Sequence, residues 1–380
     1  MNTQCPPLIT ILQQVTDCRS PHGLRHPLPA ILALACAAIM CGYRSYSAMA
    51  EWGRHYGDQL IKALGFTRES SPCAATFYNV FSRLDLSVLE TKLAQWAEGV
   101  MTVPEADENP SIEAIAIDGK TLRGTQKHTA TICHLLSAVS HRLGMTLFQH
   151  AVPLETNEIS TIISVLEAIV LKGRVITVDA LLTQSKVAKT ILKCGGDYVM
   201  PLKANQPNLL ADVALVFDHP AGVADTINTY QVTDLSHGRI ETRRLSTSTA
   251  LTDYSDWPGL KQVFRIEREV IFKKTGETRH SVVYGITSLS PVSASPKQLL
   301  EIVTAHWTIE NQSHWVRDVT FDEDRSQVRA GNVPQVMAAL RNTAIGLMRT
   351  AGFGNIAAAT RHFAAQPIQA LALIGIQLNN

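Results

Sequence analysis

An excess of charge of either sign is what this sequence lacks most. Its 34 Lys and Arg stand against 33 Asp and Glu, a net charge of +1, so the sum alone gives no reason to expect a polyanionic partner. Long apolar runs are also missing. The most apolar stretch, Leu28 to Cys41, is about 14 residues and contains Pro29, whereas a membrane span needs roughly 20; it reads as a buried core helix, and no membrane partner is expected. Cysteine is sparse: seven residues, an odd number, with no C-x-x-C spacing. That pattern excludes a disulfide framework or a Cys-rich zinc site and fits reduced thiols in the cytoplasm. The 22 Gly and 17 Pro are spread out rather than gathered into tracts, which rules out collagen-like and wholly disordered chains. The opening MNTQCPPLITILQQVTD has no basic n-region followed by an apolar core and cleavage site, so no secretory signal is expected.

What is present has a strong internal pattern. With 380 residues the chain exceeds the ~250–300 at which single cores stop growing, so a large domain plus an accessory one is expected. Charge is local: Lys172 to Gln206 carries six basic against two acidic residues, and His237 to His280 nine against six. Between them Pro207 to Ser236 has four Asp and no Lys or Arg. An anion-binding surface would therefore be patterned, although solvated element faces give the same composition.

The first hundred residues read as helices. Ala30 to Met40 is rich in Ala, Leu and Ile, Ser47 to Leu64 carries one amphipathic stripe, and further helical patterns follow over Ala75 to Phe81 and Leu86 to Val100. Pro104 to Pro110 has linker composition and marks a boundary near residue 105. The pattern then changes to three strands (IEAIAID, ICHLLSAVS, MTLFQHAVPL), a helix over Glu158 to Leu171, the strand RVITVDA, a helix over Thr183 to Cys194 and the strand DYVMPL. Three strands, helix, strand, helix, strand is the order of a ribonuclease H-like α/β fold with a mixed sheet. A β-rich insertion at about 230–290 follows, with strands at Ile240 to Ser246, Gln262 to Phe272 and His280 to Thr287. Regular helix resumes at Pro296 and runs through Glu310, another spans about Pro334 to Arg349, and 351–380 forms a C-terminal helical tail. The domains expected are 1–105, all helical, and 106–350, with the sheet.

In that topology Asp118 ends the first strand and Asp179 the fourth, on neighbouring strands, and a helix packed on the sheet could bring Glu310 to the same point. Singly, an Asp at a strand end also serves as a cap or turn residue. Together, three carboxylates are hard oxygen ligands that suit two Mg²⁺, with Mn²⁺ as a substitute, and a two-metal site stabilises the attacking and leaving oxygens of phosphoryl displacement. His306, His314 and Arg317 lie four before, four after and seven after Glu310, so regular helix would place them on its face, where they could position phosphate; Trp307 and Trp315 would pack as core. Gly119-Lys120-Thr121 resembles a P-loop end, but Ala114 stands where its first glycine is required. His22 and His26 lack a third ligand.

Five strings carry a resemblance: IDGKTLRG (117–124), TVDALLTQ (177–184), GGDYVMPLKANQPNLL (195–210), HGRIETRRL (237–245) and HWTIENQSHWVRDVTFDEDRSQVRAGN (306–332). In order and spacing they resemble the H-repeat-associated family of bacterial DDE transposases, insertion-sequence enzymes, over nearly the whole chain. The segment RHPLPAILALACAAIMCGYRSYSAMAEW is similar to that family's helical N-terminal domain. The resemblance implies a ribonuclease H-like catalytic domain with Asp118, Asp179 and Glu310 as catalytic and metal-ligating triad and two Mg²⁺ as cofactor. It implies cleavage at element ends and strand transfer into target DNA. Lys120, Arg123, Lys203, Asn205, Gln206, Arg239, Arg243, Arg244, His306, Asn311, His314 and Arg317 become candidate DNA contacts, mostly to phosphates, which position a duplex without reading its sequence. The expected partner is double-stranded DNA, both terminal inverted repeats and target, bound by a homodimer; no small-molecule substrate is expected. Relatives read Asp-Ala-Leu-His-Thr-Gln after the second Asp, and this chain has Leu182 in place of the His. A DNA-binding copy without catalysis, and a nuclease that cuts without joining, are the alternatives.

Overall fold

The computed structural model describes residues 5–377 apart from 21, 23, 102–111, 126–132, 154–157, 237 and 308. The expected domain boundary near residue 105 lies outside the described residues. Six helices come first: α1 Leu8–Leu12, α2 Leu28–Met40, α3 Tyr46–His55, α4 Gly57–Ala63, α5 Ala74–Arg83 and α6 Leu86–Met101. Then follow β1 Ala114–Leu122, β2 Cys133–Ser140, β3 Thr146–Ala151, α7 Glu158–Ala168, β4 Val175–Val178, α8 Ser185–Lys193, β5 Asp197–Leu202 and α9 Pro207–Asp218. Four long strands, β6 Asn228–Ser236, β7 Arg239–Ser248, β8 Gln262–Phe272 and β9 Thr278–Thr287, precede α10 Pro296–His306. π-Helical turns cover Ile309–His314 and Val316–Thr320, and α11 Val333–Thr350, α12 Ile356–Ala365 and α13 Pro367–Ile374 close the chain. The architecture is mixed α/β, with hydrogen-bonded strand order β3-β2-β1-β4-β5-β9-β8-β7-β6.

Two compact units divide the chain: Ser111–Asp118 with Glu158–Thr308, and Met1–Pro110 with Gly119–Asn157 and Ile309–Asn380. In the first, the sheet unit, β1 and β4 pair in parallel, as do β4 and β5, and β5 to β9 is antiparallel. Buried parallel strands favour apolar residues on both faces; all four residues of Val-Ile-Thr-Val in β4 are buried, and the one hydroxyl among them, Thr177, has a hydrogen-bond partner. The core of this unit gathers Ala114, Val175, Val199, Leu245, Phe264 and Ile266 under Leu299, Leu300 and Ile302 of α10. Helix α10 starts from a full capping box, in which Ser295 accepts from the Gln298 amide and the Gln298 side chain reaches back. Such a cap is worth about 0.5–2 kcal/mol.

The second, helical unit is built round α2 and α11, which pack on each other. Every residue of α2 except Pro29 is buried, as expected of an apolar helix surrounded by neighbours rather than lying on a surface. α11 buries 15 residues, among them Arg341, Asn342 and Thr343.

The strand and helix order from β1 to β5 follows the expectation. Other parts depart from it. β6, an exposed edge strand of polar composition, is absent from the hydropathy pattern because an edge strand open to solvent has no need of apolar alternation. The expected stripe from Ser47 to Leu64 is broken into α3 and α4 at Tyr56 and Gly57. The regular helix expected through Glu310 ends instead at His306, and the turns from Ile309 onward are π-helical, so the 3.6-residue spacing does not apply beyond it. Trp307 and Trp315 are about half exposed, at 51% and 56%, not core.

One close packing contact sets a limit on sequence. Gly285 on β9 is registered on Phe264 of β8, and a β-carbon there would land on the fully buried Phe264 ring. Gly285→Val is expected to destabilise the protein by about 1–3 kcal/mol through overpacking, read as a lower urea midpoint at unchanged slope. An unchanged midpoint would mean that this core is loose.

Candidate active site

The acidic pair comes from strand register. Ile117 is the last β1 residue paired with β4, opposite Val178, so Asp118 and Asp179 occupy the next position on each of two strands ~4.8 Å apart. Both are half-buried. β4 stops at Val178, as expected, whereas β1 runs on to Leu122, so Asp118 lies inside its strand and not at the end expected for it.

Behind Asp179 the chain turns through a loop that is held from several sides. The Leu182 amide donates to Asp179 Oδ1 at 3.0 Å. Thr183, fully buried, donates its hydroxyl to the Pro201 carbonyl at 2.8 Å. Asn205 Nδ2 donates to the Ala180 carbonyl at 2.7 Å, and Gln206 Nε2 to the Thr183 carbonyl at 3.0 Å. Asn205 and Gln206, expected to touch DNA, here anchor the loop of the second Asp, and Lys203 remains exposed beside them. The Leu182 side chain is buried, so the contact to Asp179 is made by backbone whatever the side chain.

His306, at the end of α10, reaches β4: its Nδ1 lies 2.7 Å from the Thr177 hydroxyl. Burial pushes its pKa down to about 4 against the pull of the Asp179 charge. Its ring is thus engaged between α10 and β4.

Within the helical unit the segment after His306 carries Glu310 and Asn311, both exposed, on the first π-turn. π-Helical turns inside helices are frequent at functional positions. Further along, the structure corrects two expectations. Arg317 is fully buried: it bonds Glu323 at 2.8 Å, and Arg341 bonds the other Glu323 oxygen at 2.8 Å. Lys120 is buried as well and grips both Asp318 oxygens at 2.7 and 2.6 Å. In this arrangement neither cation can reach phosphate. The reason is that the segment from Asp318 to Glu323 brings its own carboxylates to them. His314, pushed down to about 3 by burial and by the nearby Arg317 and Lys120 charges, is neutral. Arg123, by contrast, is 75% exposed, with only a 3.9 Å approach to Asp324, and remains open to a polyanion.

A second cationic group sits on the β6–β9 ribbon. Glu241 is buried among Arg268 at 2.6 Å, Arg239 at 3.2 Å and Arg243 at 2.5 Å. The Arg268 hydrogen bond, followed by the other guanidinium charges, holds its carboxyl below the usual carboxylate range. Three arginines on one glutamate leave a positive surplus, reduced by Asp234 at 3.1 Å from Arg243. Arg244 is exposed and bonds Gln231 at 3.0 Å.

Thr177, Thr183, Asp318, Glu323 and Arg341 were not singled out from sequence. A signal existed for Arg341, the single charge in the apolar run VMAALRNTAIGLM; the threonines give none, because a buried hydroxyl leaves no mark on hydropathy.

Two aspartates at neighbouring positions on adjacent strands form a hard oxygen donor pair, and hard donors fit Mg²⁺ or Mn²⁺. Among the described residues, no group of three or more His, Cys, Asp or Glu is close enough to hold a metal ion; the pair would need a further ligand or water. No helix among the described residues is long and apolar enough to cross a membrane.

Comparison with known proteins gives one consistent picture. Residues 109–347 match the model of the transposase DDE domain, and residues 9–97 match that of the DDE_Tnp_1-associated domain. The chain is 30% identical over 356 residues to YncI of Escherichia coli O157:H7, named as a transposase, covering 90% of this chain and 87% of the relative. It is 27% identical over 342 residues to YhhI of Escherichia coli K12, named as an H repeat-associated transposase, covering 88% of each. It is also 28% identical over 342 residues to YbfL of the same strain, again 88% of each.

The buried Arg317–Glu323–Arg341 group makes a measurable prediction. Burial by itself would raise the Glu323 carboxyl, but the two arginines outweigh it and hold it below its ordinary 4.5. A carboxyl lowered on folding stabilises fully above its unfolded pKa, and that contribution drains away as the pH falls through the folded one. Glu323→Gln, which strands two buried cations, is expected to cost about 3–5 kcal/mol at neutral pH and to make stability less steep in acid. Urea unfolding at neutral and acidic pH reads both; equal stability of the two proteins at neutral pH would contradict the account.

Proposed function

From the premise that the chain belongs to the transposase DDE domain family, and is therefore a DNA transposase, we propose that Asp118, Asp179 and Glu310 are its catalytic residues. DNA is the partner of this family, and its chemistry is metal-dependent. The observation that carries the assignment is the β1–β4 register, which sets Asp118 and Asp179 side by side. Glu310 is assigned from the resemblance of its string HWTIENQSHW to the family. The ribonuclease H-like assignment is supported by the order β3-β2-β1-β4-β5. Residues 1–105 are read as the associated helical domain, 106–350 as the catalytic domain and 351–380 as a tail.

Asp118, Asp179 and Glu310 would hold two Mg²⁺, and the ions would supply Lewis-acid stabilisation of charge on the attacking and leaving oxygens. The protein's own task is positioning. Asn205, Gln206 and Thr183 fix the loop that carries Asp179. Leu182 contributes its amide, a role unaffected by the missing His, so the departure from the relatives is compatible with activity. In the reaction read here, water cleaves a phosphodiester at the element end, and the 3′-hydroxyl released displaces a phosphodiester in target DNA. Arg123, Lys203, Asn311 and the Arg239–Arg243–Arg244 ribbon are exposed or partly exposed groups suited to DNA backbone. A homodimer on paired ends and a cytoplasmic site of action complete the reading.

The test is incubation of purified protein with DNA carrying the ends that flank its gene, with and without Mg²⁺ or Mn²⁺. Metal-dependent cut and joined products are expected, lost at least 100-fold in Asp118→Asn, Asp179→Asn and Glu310→Gln, an order of magnitude typical of losing charge stabilisation in the transition state. Cut ends without joining would point to a nuclease, and full activity of Glu310→Gln would remove that residue from the triad.

A further inference from the structure

One pocket in the helical unit is not used by any role assigned above. It has a volume of about 390 Å³ and is lined by Arg44, Ser45, Tyr46 and Ser47 on one side and by Phe321, Asp322, Arg325, Ser326, Gln327, Val328 and Arg341 on the other. A water molecule's share of liquid volume is ~30 Å³, so the space suits a larger guest.

Its lining is cationic in a layered way. Arg44 and Arg325 stand at the solvent side, 50% and 86% exposed. Arg341 lies at the protein side, 2% exposed; it bonds Glu323 and donates from Nη2 to the Arg44 carbonyl at 3.3 Å, while its Nε has no hydrogen-bond partner. A buried guanidinium N–H left without an acceptor costs about 1–3 kcal/mol and calls for an anion or polar atom in reach. The first turn of α3 forms part of the wall, with Ser45 capping the Ala48 amide at 3.2 Å; a helix start favours negative charge. One carboxylate also lines the pocket: Asp322, at 3.9 Å from Arg44 and 3.8 Å from Arg325. Both approaches are too long for hydrogen bonds. Glu323 already serves Arg317 as well as Arg341. Among the residues that line the pocket, three arginines stand against one carboxylate, Asp322.

We infer that this pocket binds a backbone phosphate of the DNA, held by Arg44 and Arg325 against Arg341, at a place separate from the acidic pair. The inference rests on the transposase reading for the identity of the polyanion, but not on the triad, since an anchor of this kind acts whether or not the strand is cut. A phosphate contact of this kind carries no sequence information, so it should strengthen binding to element ends and to unrelated DNA alike.

The experiment uses the full chain and two probes, a random-sequence duplex and inorganic phosphate, over a series of KCl concentrations. Compared are wild type, Arg44→Ala/Arg325→Ala, the charge-keeping Arg44→Lys/Arg325→Lys, and Arg54→Ala/Arg68→Ala, which removes two other exposed arginines. The pocket alanine pair is expected to bind the duplex roughly 3- to 10-fold more weakly and to lose about 1 from the slope of log affinity against log salt. The lysine pair should keep the slope, and the control pair should bind as wild type does. Millimolar phosphate at matched ionic strength should compete with the duplex in wild type and not in the alanine pair. Unchanged affinity and slope in the alanine pair, at an unchanged melting temperature, would overturn the inference. Phosphate that raises the melting temperature of wild type without displacing the duplex would overturn the DNA assignment in favour of a small-anion site. Duplex that fails to bind wild type at all, with phosphate still bound through Arg44 and Arg325, would overturn the transposase reading's partner while leaving the pocket an anion site.

Discussion

The parallel pairing of β1 with β4 is the constraint on which the rest depends. Parallel strands cannot be joined by a tight turn, and the connection here is β2, β3 and α7, so two segments 60 residues apart must find one register. Because side chains alternate along a strand, a slip of one residue would turn every side chain to the opposite face and separate the two aspartates. Ala114 to Ile117 and Val175 to Val178 are buried along their whole paired length, and a slip that drew Asp118 or Asp179 into that stretch would bury a carboxylate at a cost. The acids follow at the first position where burial relaxes. The core therefore specifies the site, and a carboxylate pair that would be costly in the apolar interior stands at its border.

Cations in this chain fall into two populations with different physics. Arg317, Arg341 and Lys120 are buried and matched to carboxylates that arrive within the same short segment, Asp318 to Glu323. Removing either partner of such a pair leaves an uncompensated charge in a low-dielectric place, so these residues act on stability first. Arg123, Arg44, Arg325 and Arg244 are exposed or half exposed, and their ion pairs are long or absent. Groups of this second kind keep the solvent-side freedom that a phosphate contact needs, and Arg341 could join them only through its Nε, which has no hydrogen-bond partner. The ribbon arginines around Glu241 are intermediate, each held by a carboxylate and still in excess of it.

Much of the fold was legible because it is written in periodicity. The sequence from β1 to β5 could be read off alternation and helix spacing, and with it the neighbourhood of Asp118 and Asp179. β6 escaped because its side chains face water and carry no apolar signal. The π-turns after His306 escaped because hydropathy does not distinguish a π-turn from an α-turn, and with them went the supposed common face of His306, Glu310, His314 and Arg317. Residue type alone could not tell a phosphate-seeking arginine from a buried one: Arg317 and Arg123 look alike in sequence, and only the position of Glu323 separates them. Asn205 and Gln206 show the same limit, since an amide that could touch DNA serves equally well to hold a loop.

Strand register should by itself make Asp118 and Asp179 a divalent-cation site. Calorimetric titration of the purified protein with Mn²⁺, without DNA, tests it directly when wild type is set beside Asp118→Asn and Asp179→Asn. The account predicts saturable binding in wild type that weakens at least 10-fold in each variant, because either substitution removes a charged oxygen donor. Binding that is unaffected by both substitutions would place the metal elsewhere and contradict the account.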